Sequence, residues 1–499
     1  MQNLIERIQK LYFPIRVVIA AVIAIGIVAA IATFAAPQQY ANKYPNIIYV
    51  ITDDQTFESL SKMKFVNAQT DWTKFTHAFA NTPICCPART TLLSGQYSYH
   101  TGVETNKEGW KFNDQSTIAT WLKAANYRTG FVGKYLNEYP WDKPDVFVPA
   151  DKTKPANYRP PGWDAWVAFS GPTGYFNYTL NMNGQLVKKG SQSTDYSTDV
   201  LTNEAVKFIK NNSRGEARKQ HLFLVYAPYA PHTPSTPAER HQGMFQNLTI
   251  PHALNYNEAD ISDKPKWLKE NHSKLLPSAQ TQQFDENRRK MYRSLQAVDE
   301  GMQKIYQALK ETGRFDNTAV IFTSDNGYNW GEHRLNEKRC VYEECLRIPL
   351  LIRLPNQVGH IENKFAGQVD LAPTIATLAG TSAPNADGKN LLPLIRNSGI
   401  PWVNEVLLRG NTAQTNINAG YRPPFWGLRT EKYKYVELPV TGERELYDLA
   451  TDPYELNNLA NKPEYAAILK DLAVKLYAKR GPVPPATTIQ SAEGSDEEP

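Results

Sequence analysis

Short apolar runs rich in β-branched residues alternate with stretches of helical spacing from Pro45 to about residue 380. NIIYVIT, beginning at Asn46, predicts a buried strand that ends on Asp53 and Asp54. Residues 75–80 form a second apolar piece leading into NTPICCPARTTLLSGQ, and 116–126 have helical spacing. Residues 128–132 read as a strand running into Gly133 and Lys134. An amphipathic helix over 198–211 precedes a strand at 221–227 and then PYAPHTP. Residues 236–283 are polar and irregular, and 286–312 predict a long helix. TAVIFTS, from Thr318, predicts a strand ending at Asp325-Asn326-Gly327, followed by a strand at 349–353 and a helix at 369–379.

Strands alternating with helices predict an α/β fold, a mostly parallel sheet sandwiched by helices. In such sheets ligands bind beyond the carboxyl ends of the strands. The polar clusters Asp53-Asp54, Lys134, His232 and Asp325-Asn326 fall at those ends. After about residue 398 the pattern changes to alternating faces in EVLLRG, FWGLRTEKYKYVEL and ERELYDL. It predicts a smaller C-terminal α+β subdomain on an antiparallel sheet, closed by a helix over 464–479. The expected organisation is a catalytic domain at 45–397, the subdomain at 398–480 and a Pro-rich, acidic, disordered tail at 481–499.

The N-terminus adds a membrane element. Residues 17–36 carry no charge, a length that matches the ~20 residues needed to cross a bilayer. Arg7, Lys10 and Arg16 precede them, which puts segment 1–16 in the cytoplasm and everything after the linker at 37–44 outside. An uncleaved single-span anchor and a cleaved signal peptide, with Ala30-Ile31-Ala32 as the small-x-small site, both fit. Either way the folded region is exported.

Composition narrows the function classes. Hydrophobic residues make up 41% and charged residues 21% of 499, ordinary for a globular protein. A net charge of +5, with the basic residues scattered, excludes a nucleic-acid partner. Four cysteines do not make a disulfide framework; Cys340 and Cys345 either pair or stay reduced. No CxxC pairs are spaced for zinc. The carboxylates at two strand ends instead offer hard oxygen ligands to one cation, Ca²⁺ or Mg²⁺.

Cys85 and Cys86 precede Pro87, Ala88 and Arg89. Pro87 suits a first helical turn, so Cys85 sits at a helix mouth, where N–H groups and the dipole favour a negative group. Arg89, four residues on, shares its face. Alone, the segment is also compatible with a buried cysteine pair beside a helix start. C-x-P-[S/A]-R followed by T-x-L-x-[ST]-G, however, resembles the signature of the type I sulfatases, in the alkaline phosphatase superfamily. The resemblance runs in order from about residue 45 to 460, ending with ELYDLATDPYELNNL. GKYLNEY, Gly162-Trp163, FNYTLNMNG and the doubled cysteine are similar to the branch with N-acetylglucosamine-6-sulfatases and extracellular heparan endosulfatases.

The resemblance implies that Cys85 is oxidised to formylglycine by a formylglycine-generating enzyme, and that its hydrate is the nucleophile. It makes Asp53, Asp54, Asp325, Asn326 and the modified residue 85 the ligands of one Ca²⁺ or Mg²⁺. It makes Arg89 the support of the hydrated aldehyde, Lys134 and Lys338 contacts to the sulfate, and His232 the proton donor to the leaving alcohol. Many sulfatases carry Lys-x-His where this chain has Lys134-Tyr135-Leu136, so Asn137 stands in for the histidine contact. His333 either lines the pocket or only packs. Ala88 replaces the usual serine of the signature.

The implied function is a sulfuric ester hydrolase acting on a sulfated glycan, of the 6-O-sulfated N-acetylglucosamine type. Two other readings compete. A phosphomonoester or phosphonate hydrolase on the same fold differs in its ester. A non-catalytic glycan-binding protein would be expected to have lost the cysteine, lysines or metal ligands, which this chain keeps. Neither oligomeric state nor exo against endo action is legible in the sequence.

Overall fold

Sixteen strands occur among the described residues, 44–143, 148–411 and 422–481 of the computed structural model. In chain order they are β1 (Asn46–Thr52), β2 (Trp72–Phe79), β3 (Arg128–Gly133), β4 (Ala165–Phe169), β5 (Thr179–Met182), β6 (Gln185–Lys188), β7 (Leu222–Ala227) and β8 (Thr318–Ser324). There follow β9 (Asn329–Trp330), β10 (Asn336–Glu337), β11 (Leu350–Arg353), β12 (Ile361–Gly367), β13 (Glu405–Gly410), β14 (Phe425–Thr430), β15 (Tyr433–Leu438) and β16 (Glu443–Asp448). The expected apolar span at 17–36, its leader at 1–16, and the tail from 482 onward lie outside the described residues. Among the described residues no helix is long and apolar enough to cross a membrane.

One ten-stranded sheet runs in the order β12-β2-β11-β8-β1-β7-β3-β4-β5-β6. β8, β1, β7, β3 and β4 pair in parallel. β11 is antiparallel to both β8 and β2, and β12 is parallel to β2, so β2 and β12 point the same way as the parallel block. The sheet is therefore mostly parallel, as its sequence pattern predicts, and the β11 strand is a reversed member within it.

β1 is apolar throughout because both sheet faces are covered. Ile47, Tyr49 and Ile51 pack against Leu92, Leu122 and Ile375 on the helices Cys85–Ser94, Ile118–Ala124 and Leu371–Leu378. Ile48 and Val50 face the opposite core, with Leu201 and Val298 from the helices Ser197–Asn211 and Ser278–Glu311. The long helix starts at Ser278, inside the stretch expected to be irregular, and that stretch also holds a short helix, Lys266–Asn271.

β13 to β16 form a separate antiparallel sheet in sequence order. The helix Ala466–Arg480 covers one face through Leu469, Leu472 and Leu476. The other face shares a core with the main body: Val406, Leu408 and Tyr447 cluster with Phe79, Tyr342 and Phe365. Buried Asn81, just upstream of the cysteines, clamps this junction. Its side chain donates to Leu407 O (2.9 Å) and accepts from Val369 N (3.0 Å).

β4, β9, β10 and β12 have no counterpart in the sequence pattern, and nor do β5 and β6. β5 and β6 form a hairpin with Met182 opposite Gln185, so Asn183-Gly184 is its two-residue turn. Both residues have positive φ, 56° and 95°, as a type I′ turn requires. The Asn-Gly pair was the available signal.

β3 hands over to Lys134 through Gly133, whose φ is +133° and whose missing Cβ would lie 1.9 Å from Ala227 O. No other residue fits there. Gly133→Ala is expected to lower stability by about 3 kcal/mol in urea titrations. It should also displace Lys134; unchanged unfolding would refute the strained handover.

Candidate active site

Because β1, β2, β3, β7 and β8 run the same way, the segments that leave their carboxyl ends meet at one edge of the sheet. Backbone hydrogen bonds continue the sheet into them. Asp325 N donates to Thr52 O (3.1 Å), Lys134 N to Ala227 O (2.8 Å) and Asp53 N to Ala230 O (3.4 Å). Asp53, Asp54, Cys85, Arg89, Lys134, His232, Asp325, Asn326 and Lys338, nine residues singled out from the sequence, are thus brought together.

Cys85 is the first residue of its helix, after Ile84 in extended conformation, and Pro87 lies in the first turn. Cys86 N donates to Asn106 Oδ1 (3.0 Å). Gly95 ends the helix with φ +71°. The Cys85 thiol is fully buried. Its Sγ lies 2.8 Å from Lys338 Nζ, 3.4 Å from Asp53 Oδ1 and 4.0 Å from Asp54 Oδ1. Burial pushes this thiol well above its ordinary pKa, against the pull of Lys134 and Lys338. As an unmodified thiol it is a poor nucleophile at neutral pH.

Three buried carboxylates are matched by three cations. Asp53 Oδ2 meets Lys134 Nζ at 2.7 Å and Arg89 Nη2 at 3.5 Å. Asp325 Oδ2 accepts from Arg89 Nε at 2.8 Å, and Arg89 Nη1 donates to Lys134 O at 2.7 Å. Both Asp54 oxygens lie 3.1 Å from Lys338 Nζ. Burial opposes ionisation of Asp53, but Lys134, Arg89, His232 and Lys338 outweigh it and hold the carboxyl well below its usual range. Asp325 goes the other way, to about 6, because burial and repulsion from Asp53 exceed the help of Arg89.

Asp325 Oδ1 accepts from the backbone of Asp54 (3.0 Å) and Asn326 (2.8 Å), locking the β1 and β8 ends together. Asp54 takes the left-handed φ of +62°. The oxygens of Asp53, Asp54, Asp325 and Asn326 are hard donors, and Asn326 Oδ1 is buried without a hydrogen-bond partner. One ligand atom from each of Asp53, Asp54, Cys85 and His232 lies within 4.8 Å of the others. This donor set fits one divalent cation of the calcium or magnesium kind.

His232 leaves its β7 loop with Nε2 3.4 Å from Lys338 Nζ and 3.5 Å from Asp54 Oδ2. Its Nδ1 is 2.7 Å from Thr233 O, which only accepts, so Nδ1 carries a proton. Lys338 sits two residues before Cys340, which is disulfide-bonded to Cys345. The bond resolves the pairing that the sequence left open. Arg422 braces the same loop, donating to Lys338 O and to Asn336 O (2.9 Å).

Asn137 and His333 part company. Asn137 lines a cavity of about 750 Å³ that opens from Lys134 and Tyr229 toward Trp141 and the β5–β6 hairpin. His333 is fully buried with Nδ1 2.6 Å from Glu258 Oε2, Nε2 3.1 Å from Asn255 Nδ2, and its ring stacked on Tyr342 at 3.9 Å. Burial, with Lys264 and Lys434 nearby, lowers its pKa well below the ordinary value. Of its two expected placements, packing is the one it occupies. Arg422 and Asn106 were missed, since each acts on a backbone across the fold and no spacing signals it; Tyr229, three residues before His232, was missed although it is local.

The Sulfatase family model matches residues 45–381, and the model for the N-sulphoglucosamine sulphohydrolase C-terminal region matches 331–481. The chain belongs to the sulfatase family. It is 33% identical over 386 residues to the extracellular sulfatase SULF-1 homolog of Drosophila melanogaster, covering 74% of this chain and 33% of that protein. The chain thus spans about a third of that relative's length. It is 29% identical over 490 residues to the N-acetylglucosamine-6-sulfatase of Homo sapiens, covering 88% and 85% of the two chains. The solved structure of BT4656 in complex with its substrate D-glucosamine-2-N,6-O-disulfate matches with a TM-score of 0.72 at 25% identity, covering 88% and 97%.

Arg89 ties Asp53 to Asp325 and is 2% exposed. Arg89→Met is expected to lose about 3–5 kcal/mol by denaturant titration in chelator, because it strands two buried carboxylates. Added calcium should restore part of the loss. Equal stability of variant and parent in chelator would refute the charge-matching account.

Proposed function

We propose that this sulfatase-family chain hydrolyses 6-O-sulfate esters on N-acetylglucosamine-type sugars, using formylglycine formed at position 85 and one calcium or magnesium ion. The observation that carries this reading is the convergence on Cys85 Sγ. A helix mouth, Lys338 at 2.8 Å and the Asp53 carboxylate at 3.4 Å meet at that atom, with His232 Nε2 3.4 Å beyond the lysine.

The sulfur stands where the oxygens of the hydrated aldehyde would lie. A separate formylglycine-generating enzyme would supply that modification, and the hydrate would supply two hydroxyls on one carbon, one to attack sulfur and one whose collapse to the aldehyde expels sulfate. The metal, held by Asp53, Asp54, Asp325, Asn326 and residue 85, supplies Lewis-acid activation. Without it, three carboxylates and three cations cancel; a bound divalent ion leaves about two positive charges for an anionic ester. Lys338 and Lys134 share that charge with the sulfate oxygens. Arg89 holds the Asp53–Asp325 pair, and so positions the hydroxyl. His232, with Nδ1–H fixed on Thr233 O, would take up a second proton from solvent at Nε2 and, as the imidazolium, pass that proton to the departing alcohol.

A carbohydrate is supported by the cavity of about 750 Å³ beside Lys134, room for more than the sulfate, walled by Asn137, Trp141, Tyr229 and the hairpin residues Thr179 and Lys188. The 6-O position is supported by the relatives' own substrates. The Cys340–Cys345 disulfide and the apolar segment at 17–36 support work outside the cytoplasm, as an anchored or secreted enzyme.

Mass spectrometry of active protein is expected to find the aldehyde at position 85; active material with only unmodified cysteine would refute the nucleophile. Cys85→Ala should abolish turnover with the melting temperature unchanged. A panel of sulfated monosaccharides in calcium should show N-acetylglucosamine 6-sulfate cleaved fastest. A paired assay should favour 4-nitrophenyl sulfate over the phosphate. Preference for the phosphate would replace this reading with a phosphoester hydrolase.

A further inference from the structure

The proton-donor role given above to His232 requires that Nδ1 keep its own proton, so that Nε2 is the nitrogen that takes up and gives the second one, and that the ring hold one plane; a neighbouring side chain acts on both. Tyr229 lies three residues before it, 5% exposed, with its hydroxyl 2.8 Å from His232 Nδ1 and 2.9 Å from Thr233 O. Nδ1 is itself 2.7 Å from that carbonyl. A carbonyl cannot donate. Were the Tyr229 proton turned to Nδ1, an unprotonated ring nitrogen would face the carbonyl lone pairs at close range. With the Tyr229 proton on Thr233 O, the phenol oxygen presents a lone pair to Nδ1–H. The arrangement then has every donor matched, and it places the reactive nitrogen at Nε2.

The ring does more than the hydroxyl. It stacks on the imidazole at 4.7 Å between centroids and 26° between planes. Lys134 Nζ lies 5.6 Å from the same ring's centroid. The ring is held in turn by Tyr175 (5.2 Å), whose hydroxyl donates to His232 O at 2.7 Å. Tyr229 therefore touches the proton donor by hydrogen bond and stack, and the sulfate-side lysine by cation–π contact.

We propose that Tyr229 is a positioning residue that fixes the Nδ1–H tautomer and ring plane of His232 through its hydroxyl and orients Lys134 through its ring. This rests on the reading of the site as a sulfate-ester hydrolase. The two parts of the side chain separate by substitution. Tyr229→Phe keeps the ring and removes the hydroxyl; Tyr229→Leu removes both.

The test compares leaving groups, using full-length protein matured in the presence of the modifying enzyme. 4-Nitrophenolate leaves without protonation, whereas the primary alcohol of N-acetylglucosamine 6-sulfate needs a proton. For Tyr229→Phe, kcat is expected to fall on both substrates, because Tyr229 also walls the substrate cavity, but unequally. The fall on the sugar sulfate should exceed that on the nitrophenyl ester by about tenfold, within the ~10²–10⁴ that a general acid supplies. For Tyr229→Leu, KM should rise on both substrates as well. Equal losses on both substrates for Tyr229→Phe, or no loss on either, would overturn the proposal. A second readout needs no turnover: ¹⁵N-histidine NMR should show His232 protonated at Nδ1 in the parent and a tautomer mixture in Tyr229→Phe. Identical spectra would overturn it even if the wild-type protein cleaved no sulfate ester, an outcome that would by itself sink only the substrate assignment.

Discussion

Everything at the open end of the sheet depends on the charge matching between Asp53, Asp54 and Asp325 and the cations Arg89, Lys134 and Lys338. These side chains are almost wholly withdrawn from water: five of the six are at most 3% exposed, and Lys338 is the one near the rim at 12%. An unpaired charge in such a place would cost several kcal/mol, so the carboxyl ends of β1, β3 and β8 and the helix carrying Arg89 hold one another in register. The opposite shifts of Asp53 and Asp325 express the same constraint, since the cations crowd around Asp53 and leave Asp325 facing its negative neighbour.

That cluster is delivered by four rigid supports, the ends of β1, β3 and β8 and the helix carrying Arg89, and by one braced loop. Gly133 and the backbone bonds to Thr52 and Ala227 extend the strands directly into it. Lys338 arrives by a longer route. Its loop is fastened by the Cys340–Cys345 disulfide and by Arg422, and Arg334 fastens it further back. The Arg334 guanidinium donates to the carbonyls of Glu258, Ala259 and Ser273. The polar stretch at 236–283, irregular in pattern, is thus the scaffold for that loop rather than a loose excursion. Buried His333 belongs to the same fastening through Glu258 and Asn255.

Much of this was legible because parallel strands concentrate function. NIIYVIT and TAVIFTS are apolar on both faces, a pattern that only a covered, mostly parallel sheet explains, and each ends on a polar pair. Where the pattern failed, a local signal was weak or absent. The reversed β11 strand reads like its parallel neighbours because it is equally buried. The β5–β6 hairpin has one shielded strand and one largely exposed one, so its alternation is blurred and only Asn183-Gly184 marks it.

The sequence by itself determined the α/β class, the cysteine helix and the polar clusters at the strand ends, because strand ends and helix starts are set by local apolar pattern and backbone chemistry; Lys338 was singled out only by the family resemblance. Tertiary structure alone decided which cation faces which carboxylate, that His333 packs in a separate buried cluster, that Cys340 and Cys345 pair, and that the Tyr229 hydroxyl lies against His232 Nδ1. Those outcomes turn on distances of a few ångströms between segments up to 284 residues apart, as with Lys338 and Asp54. Only the closed sheet and its burial from water fix such distances.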